Sequence, residues 1–171
     1  LLTEVLRLDD QIKLLERDIV QWHRNSELSQ RLAQIPGVGP LTASALLCSI
    51  GDIACFKNAR QLPAWLGLVP RQHSSGGRNT LLGITKRGDC YLRTLLIHGA
   101  RSAILAAQRK PDEAQHPSWL NRLLGRVHPN VAAVALANKN ARVAWALLSK
   151  HQDYKCGYDP SAQRLPMAQA A

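Results

Sequence analysis

Ile35-Pro36-Gly37-Val38-Gly39-Pro40-Leu41-Thr42-Ala43 reads as a tight turn that feeds a helix, because two glycines and two prolines punctuate an otherwise apolar stretch. The helical run Ser44 to Ile50 follows and stops at Gly51-Asp52. Two short helices joined by a Gly-x-Gly hairpin, at about residues 31–51, describe a helix-hairpin-helix. Gly37 and Gly39 permit tight backbone geometry, and amides exposed at the start of the second helix, where Thr42 lies, can hold a phosphate with help from the helix dipole. These three residues are the candidate nucleic-acid contacts of this element. The same Pro-Gly-x-Gly pattern also serves as a plain interhelical turn; the basic composition of the chain favours the DNA-binding use.

Upstream, apolar residues recur at Val5, Leu8, Ile12, Leu15, Ile19 and Trp22, in alternating steps of three and four with charged residues between them. This a/d seam predicts a coiled-coil helix over residues 1–27 that dimerises or pairs with another helix. A helix packed on its own domain is the plainer alternative. Downstream, Ala59 to Leu66 reads as helix and leads into Gly67-Leu68-Val69-Pro70. Residues 71–89 are then polar, Gly-rich and basic, the pattern of a long functional loop with room for a short hairpin. Helix resumes near Cys90, carrying Leu92, Leu95, Leu96, Ile97 and Ala100 inward with Arg93 and Arg101 on other faces. Pro111 and Pro117 bracket a polar connection, Trp119 to Val127 form a short helix, and a long helix runs from Val131 to Lys150. Asn138, Lys139, Asn140 and Arg142 interrupt its Ala/Val/Leu/Trp face. Residues 151–171 lack periodicity and read as a flexible tail. The expected class is all-α: an N-terminal coiled-coil helix, then a compact helical domain over 28–150 with a helix-hairpin-helix and a long Gly/Arg-rich loop.

The charge points to a partner. Among 171 residues, 22 Lys and Arg oppose 12 acidic residues, a formal net charge of +10. Such a balance predicts a polyanion, nucleic acid first. No run of about 18 apolar residues exists, and the basic residues are not confined to one amphipathic helix, so a membrane is not the expected partner. The opening residues lack the features of a signal peptide, which predicts a cytoplasmic protein. Leu1 stands where an initiator Met would, and the opening is already helical in character, so the chain is expected to be a fragment. Cys48, Cys55, Cys90 and Cys156 show no CxxC spacing, hence free thiols rather than zinc ligands or disulfides. Asp52, Asp89, Asp112 and Glu113 are scattered, so no metal or other cofactor is expected in this chain.

One segment combines the residue types of phosphoryl transfer. Ser74 and Ser75 lie between His73 and Gly76-Gly77, with Arg71, Arg78, Lys86, Arg87 and, one element later, Arg93 nearby. A serine hydroxyl needs a base or strong stabilisation of developing charge to act as a nucleophile. Guanidinium groups around a phosphate provide the electrostatic part, and glycines let the backbone approach it. His73 is a possible base, or a phosphate contact. Taken alone, Ser-Ser-Gly-Gly is also an ordinary flexible loop.

The ordered blocks Ile35-Pro36-Gly37-Val38-Gly39, Thr42-Ala43, Ile50-Gly51-Asp52, Phe56, Gly67-Leu68-Val69-Pro70, Ser75-Gly76, Ile84-Thr85-Lys86-Arg87-Gly88-Asp89, Tyr91-Leu92-Arg93 and Gly99-Ala100-Arg101 carry a resemblance. Over roughly residues 1–150 the chain resembles the C-terminal transposase domain of the insertion-sequence one-ten family, the DEDD-type, bridge-RNA-guided serine recombinases. The resemblance implies a two-part enzyme. A RuvC-like N-terminal half with a DEDD carboxylate set would bind magnesium, a coiled coil would connect the halves, and this domain would supply a serine that attacks DNA. It maps the nucleophile, the residue before glycine, to Ser75, with Ser74 the alternative. Arg71, Arg78, Lys86, Arg87 and Arg93 would clamp phosphates, and residues 1–27 would join protomers as a dimer or tetramer. The implied partners are DNA and a guide (bridge) RNA that directs strand exchange. Without the RuvC-like half the chain is expected to be inactive. The competing readings are a non-catalytic helix-hairpin-helix module that holds nucleic acid, and an oligomerisation piece built on the Val5 to Trp22 seam.

Overall fold

The computed structural model describes residues 1–75, 78–109 and 118–155, apart from the side chains of Ser74, Ser75, Arg78, Asn79, Leu81 and Ser118. The expectations for the connection bracketed by Pro111 and Pro117, for Asp112, Glu113 and Cys156, and for the tail from residue 156 onward lie outside these residues. Seven α-helices are described: α1 (Leu2–Asn25), α2 (Glu27–Ala33), α3 (Pro40–Ile50), α4 (Gln61–Trp65), α5 (Cys90–Arg109), α6 (Ser118–Leu124) and α7 (Pro129–Lys150). A 3-10 turn, Ile53–Cys55, precedes α4, and two strands, β1 (Pro70–Ser75) and β2 (Arg78–Ile84), separate α4 from α5. The class is mostly helical, as the periodicity predicts.

The long loop expected across 71–89, with room for a short hairpin, is a hairpin over most of its length. β1 and β2 pair as an antiparallel hairpin whose rungs run from Pro70↔Ile84 to Ser75↔Arg78. Between Pro70 and Gln72 the register shifts, so Leu82 and Gly83 both stand opposite Arg71. The segment lacks apolar alternation because the ribbon stands off the core: Arg71, Gln72, His73, Thr80 and Leu82 are exposed. Backbone ladder bonds need no apolar face, which is why the side-chain pattern suggested a loop.

The core is built on the pair α5 and α7. Leu92, Leu96, Ala100 and Ile104 recur along α5 at helical spacing and are buried, as are Ala133, Leu136, Ala137, Ala141, Ala144 and Leu148 along α7. The alanines let the helices approach closely. Leu32, Ile35, Val38 and Leu46 from α2, its following turn and α3 close one side, and Leu62, Leu66 and Leu68 close another. Each fully buried leucine contributes about 2 kcal/mol through apolar surface removed from water.

Two of the asparagines that interrupt α7, together with Trp145 of its apolar face, reach backbone carbonyls of three separate connections. Asn140 Nδ2 donates to Pro36 O at 2.9 Å, Asn138 Nδ2 to Leu68 O at 3.1 Å, and Trp145 Nε1 to Phe56 O at 2.8 Å. Lys139 lies over the Trp119 ring, 4.5 Å from its centroid, and so ties α7 to α6. α7 is therefore the rod on which loops from the first half of the chain are registered.

α1 differs from the rest. None of its residues is buried, and Val5, Leu8, Ile12, Leu15 and Trp22 of its seam are exposed. It packs on α2 and α3 only near its end, where Ile19, Val20 and His23 become partly buried and His23 Nδ1 lies 2.7 Å from Ser29 Oγ. Past α7, the described start of the tail returns to α2: Tyr154 N donates to Gln34 Oε1 at 2.9 Å, and Asp153 lies 3.4 Å from Arg31. Among the described residues, no helix is long and apolar enough to cross a membrane.

Candidate nucleic-acid interface

The turn between α2 and α3 divides its two glycines between different tasks. Gly37, at φ +87°, presses its peptide against Gly99 of α5, and a Cβ on either residue would collide with the other's backbone. Gly39 is exposed at the N-cap of α3, with nothing within 4 Å of where a Cβ would be. Thr42, expected among the nucleic-acid contacts, is 7% exposed, because its position on α3 faces the core rather than the helix N-terminus. Of the three, Gly39 alone lies open at the start of the helix.

The hairpin gathers most of the remaining candidates. Arg71, His73 and Arg87 line one cleft of about 370 Å³, together with Pro70, Gln72, Leu82 and Thr85. Lys86 is exposed beside it. Strands rise about 3.3 Å per residue, so His73 and Arg71 precede Ser75 by roughly 7 and 13 Å along β1. Ser75 pairs with Arg78, and Ser74 with Asn79, at the outer rungs of the ladder. The backbone thus brings both serines, one guanidinium-bearing residue opposite and a basic cleft onto a single ribbon.

Sequence reasoning did not single out Thr85 as a contact. Its Oγ1 is buried and has no hydrogen-bond partner among the described residues, although the residue lines the basic cleft. A buried hydroxyl left unpaired costs about 1–3 kcal/mol, which a ligand oxygen in the cleft would relieve if binding uncovered the hydroxyl. The signal lay in Ile84-Thr85-Lys86-Arg87-Gly88-Asp89, where charge drew attention to the neighbours instead.

Arg93, expected in the phosphate clamp, departs from this set. It is 9% exposed, and its Nη1 donates to Leu66 O at 3.1 Å across the end of α4. Its position on α5 turns it toward the core, whereas Arg87, six residues earlier, precedes the helix and stays outside. Among the described residues, no three His, Cys, Asp or Glu side chains gather as a metal site. Cys48, Cys55 and Cys90 are free and exposed.

The family described as "Transposase IS116/IS110/IS902 family" matches residues 29–116, from α2 past the end of α5. A "Probable family 20 transposase" of Pseudomonas aeruginosa is 51% identical over 154 residues, covering 90% of this chain and 45% of the relative. A protein of Coxiella burnetii named "Transposase for insertion sequence element IS1111A" is 49% identical over 157 residues, covering 92% of this chain and 43% of the relative. The chain therefore spans less than half the length of these curated relatives. With the family match extending over half the chain and containing both the Gly37 turn and the β1–β2 hairpin, this protein belongs to the IS116/IS110/IS902 transposase family.

Proposed function

We propose that this chain is the part of a transposase that binds DNA and guide RNA and supplies a serine nucleophile for strand cleavage and exchange, with Ser75 as the nucleophile and Ser74 as the alternative. The observation that carries the reading is the hairpin: it bears both serines, and Arg71, His73 and Arg87 line the cleft at its base, with the buried Thr85 hydroxyl behind them. A phosphodiester lying along the ribbon would meet two guanidinium groups in the cleft, and Arg78 and Lys86 add charge from β2 and its exit.

In this reading the Ser75 oxygen attacks phosphorus, a DNA hydroxyl leaves, and a phosphoserine link holds the cut strand until strand exchange reverses the step. His73 would take the serine proton or contact a phosphate oxygen. Magnesium would belong to the RuvC-like DEDD half of the enzyme. Among the described residues the acidic side chains do not gather as a metal site, and without the RuvC-like half the chain alone is proposed to be inactive. The α1 seam would join protomers as a dimer or tetramer, consistent with its exposed leucines.

The test is a covalent-adduct assay with the full-length transposase that carries this domain, magnesium, guide RNA and labelled DNA. Adducts lost in Ser75→Ala alone identify the nucleophile; loss in Ser74→Ala alone moves it by one residue. Adducts that persist in both variants take serine chemistry away from this hairpin. If no protein forms adducts while DNA binding and assembly are intact, the domain is a binding and oligomerisation module.

A further inference from the structure

Four consecutive carbonyls at the root of the hairpin are held from alternating sides. Leu66 O accepts from Arg93 Nη1 at 3.1 Å and Leu68 O from Asn138 Nδ2 at 3.1 Å, both donors belonging to the core helices α5 and α7. Gly67 O accepts from Lys86 N at 3.1 Å and Val69 O from Thr85 N at 2.9 Å, both donors belonging to the chain leaving β2. One edge of the segment 66–69 is thus fastened to the core, and the other to the hairpin's own return.

The local backbone is also over-determined. Gly67, at φ +68°, touches the Arg87 backbone so closely that a Cβ would collide with it, and Gly88 meets the Trp65 carbonyl in the same way. Lys86 sits at φ +56°, a left-handed conformation that a lysine adopts only where its surroundings impose it. Leu66 and Leu68 are 0% and 2% exposed, so no solvent donor could replace Arg93 or Asn138 easily.

We infer that Arg93 and Asn138 are positioning residues for the serine hairpin: they hold the carbonyls of Leu66 and Leu68 and thereby aim β1 and β2 at the bound strand. The inference rests on the reading of the hairpin as the site of strand attack. Neither residue lines the basic cleft. Their effect passes through the backbone of residues 66–69, two carbonyls of which pair with the amides of Thr85 and Lys86 beside Arg87. A small change in the direction of a reacting group is enough to slow a reaction greatly without weakening binding.

The experiment compares Arg93→Ala, Arg93→Lys and Asn138→Asp in the full-length transposase that carries this domain. Asn138→Asp keeps the shape and removes the donor. It measures the adduct rate at saturating DNA, DNA affinity against salt, and amide exchange at Thr85 and Lys86. The expected result is a rate lower by about tenfold or more in Arg93→Ala and Asn138→Asp, an unchanged salt slope, and faster exchange at those two amides but not along α5 and α7. Arg93→Lys, which retains a donor, recovers most of the rate. A salt slope reduced by about one in Arg93→Ala, with the saturated rate intact, would make Arg93 a phosphate contact and overturn the inference. Exchange accelerated equally throughout the core, with a matching loss of thermal stability, would reduce both residues to general scaffold. If Ser75→Ala and Ser74→Ala both keep their adducts, the nucleophile reading fails separately, and the exchange at Thr85 and Lys86 still decides whether these donors hold the hairpin.

Discussion

Gly37 and Gly99 meet backbone to backbone, and neither has room for a Cβ. The contact sets the distance between the α2–α3 turn and α5, and Asn140 secures the same turn from α7 through the Pro36 carbonyl. Alanine normally stabilises a helix interior over glycine by about 1 kcal/mol. At position 99 the sign reverses, because the added methyl meets the Gly37 peptide. Gly99→Ala is expected to lose roughly 1–3 kcal/mol net. Thermal unfolding checks this: a melting temperature that rises would show that the two backbones can separate freely.

Asn140→Leu removes the donor that the Pro36 carbonyl takes from α7. Asn140 is 4% exposed, so water cannot substitute readily. The expected cost is about 1–3 kcal/mol, the desolvation of one unpaired carbonyl. Denaturant titration measures it, and an equal stability would mean that the turn carbonyl finds another partner.

Thr85→Val separates stability from binding. The change removes a buried hydroxyl that has no partner among the described residues, so the free protein is expected to be equally stable or up to about 1 kcal/mol more stable. DNA affinity is expected to fall by roughly fivefold, one hydrogen bond's worth, with the salt slope unchanged because no charge is lost. Arg71→Ala and Arg87→Ala provide the contrast, each lowering the slope on duplex DNA by about 0.9 if it neutralises one phosphate. Affinity measured at several salt concentrations distinguishes the two patterns. Full affinity in Thr85→Val would place the bound strand away from the cleft.

On the proposed role of α1 in joining protomers, glutamates at Leu8, Ile12 and Leu15 are expected to abolish self-association without changing the melting temperature of the helical domain. All three positions are exposed, and α1 engages α2 and α3 only around Ile19 to His23. Sedimentation analysis reads the assembly state. Self-association that survives the triple substitution would assign assembly to another surface. The same geometry argues for truncating before Ile19, since cutting at residue 27 removes packing as well as the seam.

Much of the helical framework was legible in the sequence, because helices are encoded by near neighbours. Leu92, Leu96, Ala100 and Ile104 recur at the helical period, and α5 begins near Cys90 where the pattern starts. The basic segment was legible for the same reason: Arg71, His73 and Arg87 lie within one short stretch, and a hairpin brings its ends together. Its strands were less so, since a ribbon with no buried face shows no alternation.

Folding settles which side of a local pattern faces the core and what waits there. Nothing near Gly37 in the chain announces Gly99. The asparagines at 138 and 140 look like interruptions of an apolar helix until the carbonyls of Leu68 and Pro36 arrive from distant segments to meet them. Arg87 and Arg93 carry the same charge, yet one is exposed beside the cleft and the other is enclosed against Leu66. The helices, the turn and the charge follow from periodicity, glycine placement and composition, which act locally along the chain. Burial and the pairing of buried polar groups depend on contacts between segments far apart in the chain, and those exist only once the domain has folded.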